Sequence, residues 1–432
     1  MDVATLVYKG LGSPAQVAVR AYDRSGAGDG AAPAVVVVHS VDALHRIAGR
    51  PGELGLARAY VAGDLDVEGD IYELLDAVAH RDSSWVPREL WPELARLVPD
   101  AARRRLPPPP EEARPTGLLH SRSRDARAIS HHYDVSNDFY ALVLGPSMTY
   151  SCALFDTPDT SLEHAQQAKH ELVAGKHALT PDTRLLDVGC GWGGMVMHAA
   201  ATHRSRAVGV TISRAQADLA AKRVAEAGLA NLVDIRLQDY RDVADGPYDA
   251  ISSIGMFEHV GRARLGTYVR RLHSLLRPGG RLLNHAISRP GEPEPPEGLD
   301  AARATYRRVG HAAGSRRSTR IRSPFMERYV FPDGELLEVG NVVSMLQELG
   351  FEVRHVESLR EHYALTLRHW VANLERNWDE AVALSSPGRA RVWRLYMAGS
   401  ALGFENGNLA VHQVLAVKPD AGASGFPLRP AY

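Results

Sequence analysis

An apolar run that breaks into glycines, Leu185-Leu-Asp-Val-Gly-Cys-Gly-Trp-Gly-Gly194, constrains this chain more than any other stretch. Such a run reads as a buried parallel strand, and glycines at its carboxyl end let the backbone approach a ligand where the next helix begins. Gly189, Gly191 and Gly193 serve that turn. Ser252-Ser-Ile-Gly-Met-Phe-Glu-His-Val-Gly261 repeats the strand-to-loop pattern. Strands expected at 184–188, 206–211, 232–237, 247–254 and 280–287 alternate with helices at 161–178, 192–203, 213–227, 262–275 and 339–349. That alternation predicts an α/β, doubly wound, Rossmann-like parallel sheet. Ser213 caps the third of these helices and Gly228 stops it.

With 432 residues, the chain is long enough for two domains that each bury a core. The clearest break is Arg103-Arg-Arg-Leu-Pro-Pro-Pro-Pro-Glu-Glu112, where four prolines stiffen the backbone into a spacer. We expect a small α+β module over 1–105, a Pro-rich linker over 106–124 and the α/β domain over 125–432. In the module, Ala34–His39 reads as a strand and Val41–Ala48, Glu53–Val61 and Asp70–Ala79 as helices. Fifty basic residues against 51 acidic give no global pull toward nucleic acid. Two cysteines, Cys152 and Cys190, form no disulfide framework, which fits a reducing cytosol. No basic-then-apolar leader and no run of eighteen apolar residues appears, so any membrane contact is expected to be peripheral.

The glycine turn alone does not name its ligand. A dinucleotide needs a G-x-G-x-x-G spacing and an acid at the end of the second strand. Here the glycines run G-x-G-x-G, and Ala207-Val-Gly-Val-Thr-Ile212 ends without an acid. What remains is Asp187 before the turn and Gln238-Asp239 after the third strand. That polar set suits an amino acid and an adenine, hence S-adenosylmethionine.

His132-Tyr-Asp-Val-Ser-Asn-Asp-Phe-Tyr140, Met148-Thr-Tyr-Ser-Cys-Ala153, the glycine turn, Thr211-Ile-Ser-Arg-Ala-Gln216 and Gly255-Met-Phe-Glu-His-Val-Gly261 follow in order. In that order they resemble the cyclopropane fatty acid synthase family over residues 125 to 418. The N-terminal module is similar to the extra domain of the phospholipid-acting bacterial members. The resemblance implies a class I methyltransferase that uses S-adenosylmethionine on the cis double bond of a phospholipid acyl chain. It also implies a bound bicarbonate ion as base, held by Cys152, Glu258, His285, the Ile287 backbone and Tyr363. By the same matching, Tyr150 and Ser151 close over the methionine part, and Asp187, Gly189 and Gly191 approach it. Thr211, Ile212 and Gln216 flank the ribose, Gln238 and Asp239 lie near the adenine, and Ile254 completes the cofactor set.

Such chemistry needs an alkene held against the sulfonium methyl in a dry slot, then stabilisation of a carbocation until a proton leaves. Tyr140, Phe257 and Tyr363 are aromatic candidates for the cation. Proton loss from the added methyl closes a cyclopropane. Loss from a neighbouring carbon leaves a methylene branch, which a separate reductase would convert to a methyl branch, as in actinobacterial members the chain resembles. Both products stay open. So do two other classes, a small-molecule N- or O-methyltransferase and a non-catalytic lipid-binding protein on the same fold.

Other residues have plainer readings. Cys190 fills the turn, and His259 caps or packs. His131 and His132 are neighbours in sequence and share no ligand face, so no metal is expected. Between Ile287 and Tyr329, where relatives have a short connection, lie Pro-rich 289–298 and then 302–322, with seven arginines and no acid. Solvated disorder competes with docking of Arg307, Arg308, Arg316, Arg317, Arg320 and Arg322 on anionic headgroups, at about 1 kcal/mol each. Vesicle sedimentation of Arg316/Arg317 and Arg320/Arg322 neutralised variants separates the two. The expected setting is cytoplasmic, at the inner face of the plasma membrane. A homo-oligomer is expected too, since a second docking surface adds avidity.

Overall fold

The computed structural model describes residues 1–79, 87–100, 104, 106–113, 136–291, 323–332, 334–430 and 432. The linker from 114, His131, His132 and the arginines between 303 and 322 lie outside the described residues. Contacts divide the chain into two compact units.

The first unit gathers Met1–Met148, Arg322–Pro332 and Tyr363–Asn406. This partition by contacts differs from one drawn along the chain, because segments far apart in sequence pack into one body. Its sheet has the order β2-β1-β3-β4, with β1 (Val17–Ala21), β2 (Gly26–Ala27), β3 (Ala34–Val38) and β4 (Leu65–Gly69). β3 alternates buried and half-buried valines, as a sheet with one covered face requires. Val17, Val19, Val36, Leu44 and Leu65 build its core. The returning helix Pro387–Glu405 is tied in by Arg394, which donates to the Val67 carbonyl at 2.9 Å and the Gly69 carbonyl at 3.2 Å.

The second unit holds the seven-stranded sheet β10-β11-β9-β8-β5-β6-β7. β5 (Arg184–Val188), β6 (Arg206–Thr211), β7 (Val233–Leu237), β8 (Tyr248–Ile254) and β9 (Leu276–Ser288) are parallel. These five match the expected strands within a few residues. At one edge the parallel sheet is extended by two strands that were not expected, β11 (Ala410–Val417) and β10 (Glu352–Ser358), which run antiparallel. β10 reads Glu-Val-Arg-His-Val-Glu-Ser, half-buried alternating with exposed along most of its length, which suits an edge strand and hides it from a search for apolar runs. Leu186, Val188, Val208 and Val210 face Leu265, Val269, Leu272 and Leu346 on one side. Leu185 and Ala207 face Val173, Met195, Val196 and Ala199 on the other. The cap on Arg214–Glu226 is as expected, Ser213 Oγ accepting the Gln216 amide, and Gly228 follows in a left-handed turn.

Candidate active site

Crevices of open α/β sheets form at the carboxyl ends of strands where the strand order reverses. Here that point lies between β5 and β8, where Asp187 pairs in register with Ser252. After β5 the chain turns through left-handed conformations at Gly189 (φ 79°) and Gly191 (φ 54°). Gly189 and Cys190 donate their amides to the Val210 carbonyl at 2.9 and 3.1 Å, which fixes the turn to β6. A Cβ on Gly191 would meet nothing among the described residues within 4 Å, so backbone twist rather than crowding demands glycine there. Cys190 is buried in the turn, and its sulfur would lie 2.9 Å from a Cβ on Gly209. It packs, as its plain reading held.

Burial pushes the Asp187 carboxyl up to about 7, with the nearby Lys169 ammonium acting to lower it. Burial pulls Lys169 down to about 8. Lys169, on the helix Leu162–His177, donates to Ser151 Oγ at 3.2 Å, and Gln166 of that helix donates to the Ser151 carbonyl at 2.9 Å. One helix thus pins the stretch Tyr150, Ser151 and Cys152. The Cys152 thiol is fully buried and donates to the carbonyls of Ala153 at 3.2 Å and Leu359 at 3.6 Å.

At the end of β6, the Thr211 hydroxyl donates to Gln216 Oε1 at 2.9 Å, which leaves the Gln216 amide hydrogens to act as donors. Ile212 beside them is partly exposed. Gln238 donates its backbone amide to the Thr211 carbonyl at 2.9 Å and its side-chain amide to the Asp242 carbonyl at 3.0 Å. Asp239 Oδ1 accepts the Arg241 backbone amide and its Nε, each at 2.9 Å. Both side chains of this pair therefore also serve their own turn.

The third corner joins β8 to β9. Ile254 pairs in register with His285, and the Gly255 amide donates to the His285 carbonyl at 2.8 Å. The short helix Phe257–Val260 carries Glu258, whose Oε1 accepts the Ile287 backbone N–H at 2.6 Å. The backbone group assigned to an ion by resemblance thus already donates to Glu258. Burial pushes Glu258 up to about 7 against that hydrogen bond. Burial, reinforced by Lys169 and Lys176, pulls His285 down to about 3, so its ring is neutral. Glu258 Oε2 and His285 Nε2 are buried with no hydrogen-bond partner among the described residues.

Glu258 thus reaches the Ile287 backbone, two residues along β9 from His285, with Cys152 in the same unit, while Tyr363 and Tyr140 belong to the first unit. There the Tyr363 ring lies 4.7 Å from Phe404, and Tyr140 stands edge-on to Trp393 at 5.3 Å. Phe257 packs edge-on to Tyr268 at 6.4 Å. Burial pulls His259 down to about 4, as a packing histidine requires. The sequence drew no attention to Glu171, His198 and His203, whose ligand atoms lie within 4.8 Å of one another. Glu171 Oε2 sits 2.9 Å from His198 Nε2 and 3.1 Å from His203 Nε2, which a hydrogen-bonded cluster explains as well as a metal would.

The family described as Mycolic acid cyclopropane synthetase matches residues 120–414. The chain belongs to that family. It is similar to a probable fatty acid methyltransferase of Mycobacterium tuberculosis, 45% identical over 95% of this chain and 93% of the relative. It is 34% identical to the tuberculostearic acid methyltransferase of the same organism, over 90% of this chain and 84% of the relative. Among solved structures, the mycolic acid cyclopropane synthase CmaA1 complexed with SAH and CTAB matches with a TM-score of 0.58 and 34% identity, over 67% of this chain and 97% of that one. The chain is an S-adenosylmethionine-dependent methyltransferase with the class I fold.

As a cyclopropane synthetase relative, it carries one feature that sequence reasoning missed. The helix Leu162–His177 buries Gln166, Lys169, His170, Lys176 and His177 along with its apolar residues. These positions recur at three- and four-residue spacing, the stripe a helix turns toward its core. A stripe that polar was the available signal.

Proposed function

We propose that this methyltransferase alkylates the cis double bond of an unsaturated acyl chain in a phospholipid, giving a cyclopropane or a methylene-branched chain, with bicarbonate as base. The observation that carries the reading is the pair of partnerless buried atoms, Glu258 Oε2 and His285 Nε2. Buried polar groups without partners are costly, and a small ion with both an oxyanion and a hydroxyl would satisfy both. S-adenosylmethionine supplies an electrophilic methyl and bicarbonate a proton acceptor. Glu258, anchored through Oε1 by Ile287, orients a hydroxyl at Oε2, and the His285 ring faces the anion.

On the cofactor side, the Gly189–Gly193 turn admits the methionine part, and Ser151 is held over it by Lys169 and Gln166. Asp187 offers a carboxylate to that part's ammonium. Gln216 offers amide hydrogens to ribose hydroxyls, and Gln238, Asp239 and Ile254 border the adenine. Phe257 supplies an aromatic face for the cation. An amine or hydroxyl acceptor would give up its proton before or during methyl transfer, whereas an alkene loses one only after it, from the carbocation to the bound ion.

None of the described helices is long and apolar enough to cross a membrane. We place the enzyme at the cytoplasmic membrane surface as a peripheral protein, docked by Arg307, Arg308, Arg316, Arg317, Arg320 and Arg322 and working as a homo-oligomer, with a reductase downstream if the product is a methylene branch. The fatty acid methyltransferases among the relatives favour a fatty acyl acceptor. Gas chromatography with mass spectrometry of fatty acids from a host expressing the chain, fed labelled methionine, tests this. Label in a cyclopropane or branched acyl chain of the phospholipids is expected. Label confined to amines or hydroxyls overturns it.

A further inference from the structure

A row of side chains crosses the sheet at one register, Glu357 on β10, Gln413 on β11 and His285 on β9. Lys176, fully buried on the helix Leu162–His177, donates to the Glu357 carboxylate and to Gln413 Oε1, the latter at 2.6 Å. Gln413 Nε2 in turn lies 3.2 Å from His285 Nδ1. An ammonium has three donors and no acceptor, so the Gln413 atom facing it is the oxygen. The other end of the amide is then an NH2, which meets His285 Nδ1. That contact is a hydrogen bond only if Nδ1 is bare, because an Nδ1–H would set hydrogen against hydrogen. A neutral ring with bare Nδ1 carries its proton on Nε2.

We propose that Lys176 and Gln413 are positioning residues that hold His285 as its Nε2–H tautomer, making the ring an obligate hydrogen-bond donor to a bound oxyanion and never the group that accepts the substrate's proton. The inference rests on the bicarbonate reading above and assigns the ring's part in it. The corner then presents one donor, His285 Nε2–H, and one carboxyl oxygen, Glu258 Oε2, both buried. Their chemistry is complementary to an ion with one charged oxygen and one hydroxyl. The proton from the substrate goes to that ion. Depression of the ring's basicity by burial and by the two ammoniums agrees with an imidazole that stays neutral throughout.

The test is nitrogen NMR of the full chain carrying 15N-histidine, in bicarbonate-depleted buffer, with the His285 signals assigned by their loss in His285→Gln. Expected is Nδ1 at the shift of a bare ring nitrogen and Nε2 at that of a protonated one. An Nδ1–H or doubly protonated ring overturns the proposal whatever the activity. Gln413→Glu keeps the shape but replaces the amide donor by a carboxylate that accepts from Nδ1–H, so the two signals should exchange. The bicarbonate concentration for half-maximal turnover should then rise about tenfold, with a smaller change in turnover at saturation. Unchanged signals in a folded Gln413→Glu variant overturn the inference, and should that variant not fold, the wild-type spectrum decides alone. The expected tautomer in an enzyme whose turnover ignores bicarbonate would uphold the orienting role of Lys176 and Gln413 but remove the oxyanion reading on which the rest stands.

Discussion

Two glutamates with buried carboxyl oxygens, one in each unit, meet opposite fates. Glu112, in the first unit, receives Arg58 Nε and Nη2 at 2.7 and 2.8 Å and the Tyr329 hydroxyl at 3.2 Å. Burial raises its pKa, but the Arg58 hydrogen bonds and charge outweigh this and hold the carboxyl below its ordinary value. Glu258, in the second unit, has one backbone N–H on Oε1 and nothing among the described residues on Oε2, and burial takes it up to about 7. A satisfied buried carboxylate joins chain segments 58, 112 and 329 that are far apart in sequence. One left half-satisfied carries a cost that only a ligand or a reaction relieves. On the proposed function, the same residue type is architecture in one unit and chemistry in the other.

The largest effect should come from Glu258→Gln. An amide keeps the Ile287 hydrogen bond but puts an NH2 donor where Oε2 accepts the ion's hydroxyl, so turnover should fall about 10²- to 10³-fold. Thermal stability should not fall, and above about pH 7 it should rise, because the amide removes the cost of ionising a carboxyl that burial has pushed up. Label transfer from S-adenosylmethionine, measured beside a melting curve, reads both, and a variant that turns over at the wild-type rate breaks the contrast.

Next in size is the pH dependence of the ligand-free protein. Asp187 rises from 3.8 to about 7 on folding. Below about pH 4 both states hold this proton. Between 4 and 7 the unfolded chain releases it while the folded one keeps it, so stability falls as pH rises through that window and stays low above it. Asp187→Asn removes the titration. The variant should be more stable than wild type by about 2 kcal/mol at pH 8, with the difference vanishing near pH 4, while it binds S-adenosylmethionine more weakly. Melting curves across pH 4–8 check the sign. A difference that grows toward low pH refutes it.

How much of this was legible depended on range. Arg184–Val188 and Arg206–Thr211 were readable because a parallel strand is apolar along its whole length, and the Arg214–Glu226 helix because Ser213 and Gly228 mark its ends. β4, Leu-Asp-Val-Glu-Gly, and β10 are edge strands whose covered residues alternate with polar ones, and they escaped notice. The joining of 363–406 to the N-terminal module has no local signature, since Arg394 and the Val67 carbonyl are 327 residues apart. At the site, Asp187 and Glu258 stood in recognisable turns. Lys169, Lys176 and Gln413 did not, because a lysine is normally solvated and only the fold shows these two ammoniums buried.

The smallest expected effect tests the architectural half of the contrast. Glu112→Gln keeps the size of the side chain but removes the charge that the Arg58 guanidinium faces, and one amide nitrogen replaces an acceptor. Arg58 keeps partial access to water, so the loss should be below that of a fully buried pair, about 2 kcal/mol. Because the carboxyl sits below its ordinary value, wild type should also lose this stabilisation as pH drops through the acid range, and Glu112→Gln should not, a slope opposite to that of Asp187. Methyl transfer per folded molecule should be unchanged at temperatures below unfolding. If Glu112→Gln instead lowers turnover without lowering the melting temperature, the first unit's buried charges take part in catalysis and the division of labour between the two glutamates fails.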